Sequence, residues 1–214
     1  MDIEFIGFFS ILYSSIIFTQ THNLVRHDKY YYESITRVYS TIHAMTSFCI
    51  ALYYLYFPTN LIYSLLFSNS FVYICLDSVF VYYYKDKIQN DFSLWFHHAL
   101  FAIGLSIVTY SYPNLYRYIA RCLITELSTP FLNWSWKMYK YPYYNSWTIH
   151  EELIAHSCLL VTFFISRPVN LFFLIYNFSN LYQNIIPYIF LLSLFVLNCN
   201  WFYLLFSKFI SSIR

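Results

Sequence analysis

The chain has 214 residues, of which 59% are hydrophobic, 25% aromatic and only 10% charged. Charged residues make up about 25% of an ordinary soluble domain, so a water-soluble globule is excluded and an all-α membrane protein is expected. A net charge of +2, spread over scattered lysines and arginines, forms no basic footprint and excludes nucleic acid as a partner.

Apolar segments long enough to cross roughly 30 Å of hydrocarbon recur along the chain. Seven transmembrane helices are predicted, near residues 3–19, 38–57, 65–84, 94–112, 116–133, 153–177 and 185–207. The first begins with Asp2 and Glu4 instead of a basic segment and has no small-residue cleavage site after it, so it reads as a retained anchor. The connections are short and leave no room for a second domain. Aromatic clusters at Tyr30 to Tyr32, Tyr82 to Tyr84 and Tyr141 to Tyr144 fall where span ends meet the membrane interface. Single aromatic positions carry little weight, because an AT-rich coding sequence would also raise the Phe and Tyr content. Cys49, Cys75, Cys122, Cys158 and Cys199 all lie in apolar stretches without a Cys-x-x-Cys pair, so neither a disulfide framework nor a thiolate metal site is expected.

Seven spans assign every basic residue to a side. Arg26, Lys29, Arg37, Lys85, Lys87, Lys137, Lys140, Lys208 and Arg214 share one side, Arg117 lies on the other, and Arg121 and Arg167 fall within spans. The positive-inside rule makes the rich side cytosolic, which puts the N-terminus in the lumen and the C-terminus in the cytosol.

A charged side chain at the centre of a span costs roughly 2.5 to 3.5 kcal/mol on insertion scales, so each one demands a partner or a wet cavity. His43, Asp77, His97, His98, Glu126 and His156 all fall within roughly 5 to 12 Å of the predicted cytosolic face at the helical rise per residue, which suggests a polar chamber opening toward the cytosol. On the fifth span Cys122, Glu126, Thr129 and Asn133 form one polar stripe, and Pro130 cannot donate to the Glu126 carbonyl, so a kink is expected there. Ser40, His43 and Ser47 share a face of the second span. His156 and Arg167 return to nearly the same direction on the sixth. Arg167, followed by Pro168, reads either as the counter-charge to a carboxylate or as a ligand for a lipid headgroup.

Imidazole serves as base, acid or nucleophile near neutral pH, which makes His97-His98 the chemically richest pair. Adjacent helix positions point about 100° apart, so one ring can enter a cavity while a neighbouring helix holds the other. The same geometry disfavours both as ligands of one metal, and no metal is expected. Histidines bonded within the bundle for structure alone remain the alternative. His150-Glu151-Glu152 resembles the start of a zinc-protease motif, but Ile154 occupies the second-histidine position. There is no P-loop, nucleophile elbow or dinucleotide fingerprint.

Arg37-x-x-Ser40-x-x-His43-Ala44, then Asp77, Phe96-His97-His98, the stretch TELSTPFLN from Thr125 to Asn133, Lys140-Tyr141-Pro142, Arg167 and Asn198-x-x-Trp201 follow one another in order. In this ordered set the chain resembles the TLC-domain family, which includes the ceramide synthases, and is most similar to its small TLC-only members. The resemblance implies an N-terminal anchor and cytosolic loop over 1–32, a TLC domain over 33–208 and a short tail over 209–214. It further implies six helices around a lipid-accessible cavity, preceded by one additional helix, in the endoplasmic reticulum or a related endomembrane. His97 and His98 match the paired histidine of the ceramide synthases and Glu126 matches their first acid, while Thr129 stands where those enzymes carry a second aspartate.

Two functions are therefore expected. One is the binding or regulation of membrane lipids in lipid homeostasis, with His43, Asp77, Thr129, Asn133, His156 and Arg167 lining the cavity. The other is acyl transfer to a lipid amine or hydroxyl, with His97, His98 and Glu126 catalytic and acyl-CoA as co-substrate without a resident cofactor. Polar residues thin out toward the lumenal side, which argues against a continuous transport path. Membrane lipids are the expected partners, with a second copy of the chain as a candidate.

Overall fold

The computed structural model describes residues 3–23, 30–86, 88, 92–141, 148–181 and 185–213. Among them every regular element is helical. In hydrocarbon no water satisfies a backbone N–H or C=O, and a helix pairs these groups within one segment. The elements are α1 (Ile3–Asn23), α2 (Tyr31–Tyr56), α3 (Asn60–Tyr83), α4 (Phe92–Ser111), α5 (Tyr116–Leu123), α6 (Thr129–Lys140), α7 (Ile149–Phe164), α8 (Asn170–Leu181) and α9 (Ile185–Ile213). A 3-10 turn, Ile124–Ser128, joins α5 to α6, and a π turn, Ile165–Val169, joins α7 to α8, so among the described residues the nine α-helices form seven continuous segments.

Five stretches are long and apolar enough to cross a membrane: Ile3–Gln20, Asn60–Tyr83, Leu94–Ser111, His150–Asn177 and Ile185–Ser211. The segments α2 and α5–α6 are more polar. Glu33, Arg37 and His43 interrupt the first of these, and Arg117, Arg121, Glu126 and Lys137 the second.

Helix ends differ from the expected span limits for identifiable reasons. Ile149–Phe164 starts four residues before the predicted span because Thr148 and Glu151 form a capping box. Thr148 Oγ1 accepts from the Glu151 backbone N–H at 3.3 Å, and Glu151 Oε2 accepts from the Thr148 N–H at 2.8 Å. The reciprocal pair satisfies two donors that a helix start leaves open. The run His150-Glu151-Glu152 is thus the opening of a helix. At α3, Thr59 Oγ1 plays the capping role toward Ile62 N–H.

Pro130 and Pro168 both lie where the helix type changes. Pro130 has no N–H for the Glu126 carbonyl, and the backbone N–H of Thr129 donates to that carbonyl instead. The outcome is a tight 3-10 turn at the place where the kink is expected. Pro168 likewise lies inside the π turn, a wide coil that accommodates a residue with no donor to offer.

The chain divides into two compact units, Met1–Ala120 and Arg121–Arg214. In the first, Phe9, Tyr13, Ile35, Tyr39, Val72 and Phe80 belong to one buried cluster. With only two glycines in the chain, close backbone approach through small residues is scarce, and rings supply much of the contact. Tyr63 stacks on Tyr116 with centroids 3.6 Å apart, and Tyr32 stacks on Tyr84 at 4.1 Å. In the second unit Leu123, Met138, Leu159, Phe163, Leu171 and Leu174 are buried. Large apolar side chains such as Val79, Tyr82, Val161, Phe173 and Tyr203 are exposed, as lipid-facing surfaces require.

Candidate functional site

In the first unit the polar site grows from two helix stripes. On α2, Ile35, Tyr39, His43, Ser47 and Ala51 recur every fourth residue and all are buried. On α3, Leu66, Ser70 and Asp77 are buried along an inward stripe that also carries Tyr73. Two linked clusters result.

The upper chain of contacts centres on His43. Tyr13 of α1 donates to Asn69 Oδ1 at 2.5 Å, and Asn69 Nδ2 donates to Ser47 Oγ at 2.7 Å. Ser47 Oγ lies 3.3 Å from His43 Nδ1 and 3.3 Å from Ser70 Oγ. The imidazole of His43 stacks on Tyr73 with centroids 3.8 Å apart and planes within 4°.

The second cluster centres on Asp77. Its Oδ1 accepts from the Tyr39 hydroxyl, and its Oδ2 lies 3.3 Å from His98 Nε2 of α4. His98 Nδ1, on the far side of the ring, lies 3.3 Å from Ser78 Oγ. Tyr73 meets the His98 ring edge-on at 6.5 Å, so one tyrosine touches both histidines. His97 is half-buried, with its ring 5.9 Å from those of His98 and Phe101.

The second unit gathers a different set around Arg167. Its Nε donates to Ser128 Oγ at 2.7 Å, its Nη1 to Asn198 Oδ1 at 3.0 Å and its Nη2 to Thr129 Oγ1 at 3.2 Å. Thr129 in turn donates to Glu126 Oε2 at 2.9 Å, and the guanidinium also lies 4.8 Å above the Phe163 ring. The arginine is therefore held directly by neutral oxygens, with a carboxylate one hydrogen bond behind them. Asn133 is buried one turn beyond Thr129. His156 donates from Nδ1 to the carbonyl of Glu152 at 2.7 Å, a bond within its own helix. Among the described residues no three His, Cys, Asp or Glu side chains gather as a metal-binding group.

His43, Asp77, His97 and His98 thus belong to the first unit, and Glu126, Thr129, Asn133, His156 and Arg167 to the second. The model of the family described as "TLC domain" matches residues 33–207, well over half of the chain. The chain belongs to the TLC-domain family. No curated protein and no solved structure matches it. The family is one of membrane, lipid-related proteins, and the apolar helices make this TLC-domain protein an integral, multi-pass membrane protein. Its matched segment starts after α1, yet Tyr13 of α1 is bonded into the His43 cluster.

Several contributors to these clusters are absent from the sequence reading. Tyr13, Tyr39 and Tyr73 are three of 25 tyrosines, and only the spacing of Tyr39 from His43 and of Tyr73 from Asp77, four residues in each case, marks the last two. Asn69 and Ser78 are common residue types without a motif, while Ser128 lies inside the TELSTPFLN stretch without being singled out there. Their signal lies in register: Asn69 falls in a Ser68-Asn69-Ser70 run inside an apolar helix, where polar side chains must find partners.

Proposed function

We propose that this TLC-domain protein binds and regulates membrane lipids from within the bilayer, as part of lipid homeostasis in the endoplasmic reticulum or a related endomembrane. What supports the reading is Arg167: a cation inside an apolar segment whose three nitrogens all meet neutral oxygens. Such a guanidinium suits the phosphate or carboxylate of a lipid headgroup. In this reading Thr129, Asn133, His156 and Arg167 line the lipid site of the second unit. The charge split of the connections supports a lumenal N-terminus and a cytosolic C-terminus.

A second reading, lipid N- or O-acyl transfer from acyl-CoA with His97 and His98 at the reacting centre, is favoured by the contact between His98 and Asp77. A carboxylate behind an imidazole fixes its tautomer and supports the imidazolium that forms during general-base catalysis.

The deciding experiment expresses the chain in cells lacking ceramide synthase activity and profiles total lipids beside a His97→Ala/His98→Ala variant. A photoreactive phosphatidylcholine is crosslinked in the same membranes. Crosslinking that Arg167→Ala abolishes, with an unchanged lipid profile, is the result expected of a binding protein. A new acylated species that disappears in the histidine variant would establish the transferase.

A further inference from the structure

Side-chain hydroxyls on these helices mostly turn back onto their own backbone. Ser10, Thr19, Thr41, Thr109 and Thr162 each donate to the carbonyl four residues earlier, at 2.6 to 2.8 Å. This is the ordinary fate of a helical hydroxyl in an apolar setting. Ser78 departs from it, because its hydroxyl turns across to the neighbouring helix and meets His98 Nδ1 at 3.3 Å.

The far side of the same ring is occupied by a carboxylate. With Asp77 Oδ2 at 3.3 Å from Nε2, the imidazole proton sits on Nε2 and the Nδ1 lone pair faces the Ser78 hydroxyl. Asp77 is itself steadied through Oδ1 by the Tyr39 hydroxyl. Hydroxyl, imidazole and carboxylate in hydrogen-bonding sequence, with the carboxylate held by a further donor, are the parts of an activated nucleophile. Such a constellation is recognised by geometry and not by chain order.

The position of Ser78 matters as much as its partners. Cys75, Val79 and Tyr82 form an exposed stripe at helical spacing on α3, with Val79 and Tyr82 each 66% exposed. Ser78 borders that stripe and is half-buried, while Asp77 and His98 are buried behind it. The hydroxyl therefore lies between an enclosed acid-base pair and a surface that faces acyl chains.

We propose that Ser78 is a nucleophile served by His98, with Asp77 and Tyr39 as positioning residues, and that it accepts the acyl group of a lipid ester or thioester. The proposal rests on the chain's handling membrane lipids and adds the reacting atom. Ser78 Oγ forms a bond to the acyl carbon as His98 Nδ1 takes the hydroxyl proton. The carbon–oxygen or carbon–sulfur bond of the donor breaks, and the leaving alcohol or thiol takes that proton from Nδ1. Water or a lipid hydroxyl then attacks the acyl-serine, giving its proton to Nδ1, and the same proton returns to Ser78 Oγ as the ester bond breaks.

An alkyl fluorophosphonate tests this on the full chain in membranes, since an activated serine displaces fluoride and keeps the phosphonyl group. Labelling is expected on the peptide that carries Ser78, absent in Ser78→Ala and slowed by about 10²-fold or more in His98→Gln. Each variant is compared at matched membrane levels and matched melting temperature, and Ser78→Ala, which removes one oxygen, carries the decision if His98→Gln fails to fold. Photoreactive phosphatidylcholine is crosslinked in parallel. An unlabelled natural chain that still crosslinks overturns the nucleophile and leaves lipid binding standing, as does a Ser78→Ala chain labelled at the natural rate. Labelling at Ser78 without any crosslinking upholds the nucleophile and removes the binding reading.

Discussion

Tyr39 donates its hydroxyl hydrogen to Oδ1 of Asp77, bridging α2 and α3 inside the first unit. The bond matters because a buried carboxylate that loses a donor has no water to replace it. Replacing Tyr39 by Phe keeps the ring and removes only that donor. The expected loss is about 1 to 2 kcal/mol, read as a lower unfolding midpoint in detergent. Asp77→Asn, which retains an acceptor, is expected to lose less than Asp77→Ala; an equal loss would mean that the carboxylate's bonds do not hold the helices.

Arg167 provides a second test, because its three nitrogens donate to Ser128, Asn198 and Thr129 in different directions. A lysine presents a single point of charge and cannot reproduce the fork. Arg167→Ala is expected to cost about 3 kcal/mol or more, as removal of one member of a buried polar network does. Arg167→Lys is expected to recover less than half of that. Adding Glu126→Gln to Arg167→Ala should cost less than the two single changes together, and strict additivity in a double-mutant cycle would show that the carboxylate and the guanidinium do not communicate through Thr129.

The capping box at α7 gives a local prediction. Thr148→Ala is expected to destabilise the helix start by about 1 kcal/mol, with faster amide hydrogen exchange confined to the first turn after Thr148. Glu151→Ala should speed exchange in the same amides, and combining the two should add little, since each change breaks the same reciprocal pair.

Orientation is open to direct measurement. An epitope added after Arg214 is expected to be reached by antibody when only the plasma membrane is permeabilised. An epitope before Met1 should require permeabilisation of the internal membrane as well. The reverse pattern would overturn the topology inferred from the basic residues.

How far the sequence carries depends on which physical signal a feature leaves. Spans such as Asn60–Tyr83 and Leu94–Ser111 announce themselves by apolar length. The ordered residues from Arg37 to Trp201 carry the family, and the match over 33–207 bears that out. Asp77 and His98 stand out singly as costly in hydrocarbon, but their contact joins two helices and no periodicity encodes it. Tyr39 and Tyr13 vanish into an aromatic-rich composition. Thr148 and Glu151 are legible in principle, since Thr-x-x-Glu ahead of an apolar run is a helix-start signature, although the same Glu151 also belongs to an incomplete zinc-protease motif. The π turn around Pro168 leaves no pattern beyond the proline itself, which is equally at home in a simple kink.

The bond between Tyr13 and Asn69 spans 56 residues of sequence. During synthesis at about 5 to 20 residues per second, α1 therefore waits about 3 to 11 s for the partner of its buried hydroxyl to emerge. His43, the other partner of that hydroxyl, emerges earlier, and before it does lipid, interfacial water or the insertion machinery must satisfy Tyr13. The first helix therefore completes its buried polar contacts only once α3 has joined it.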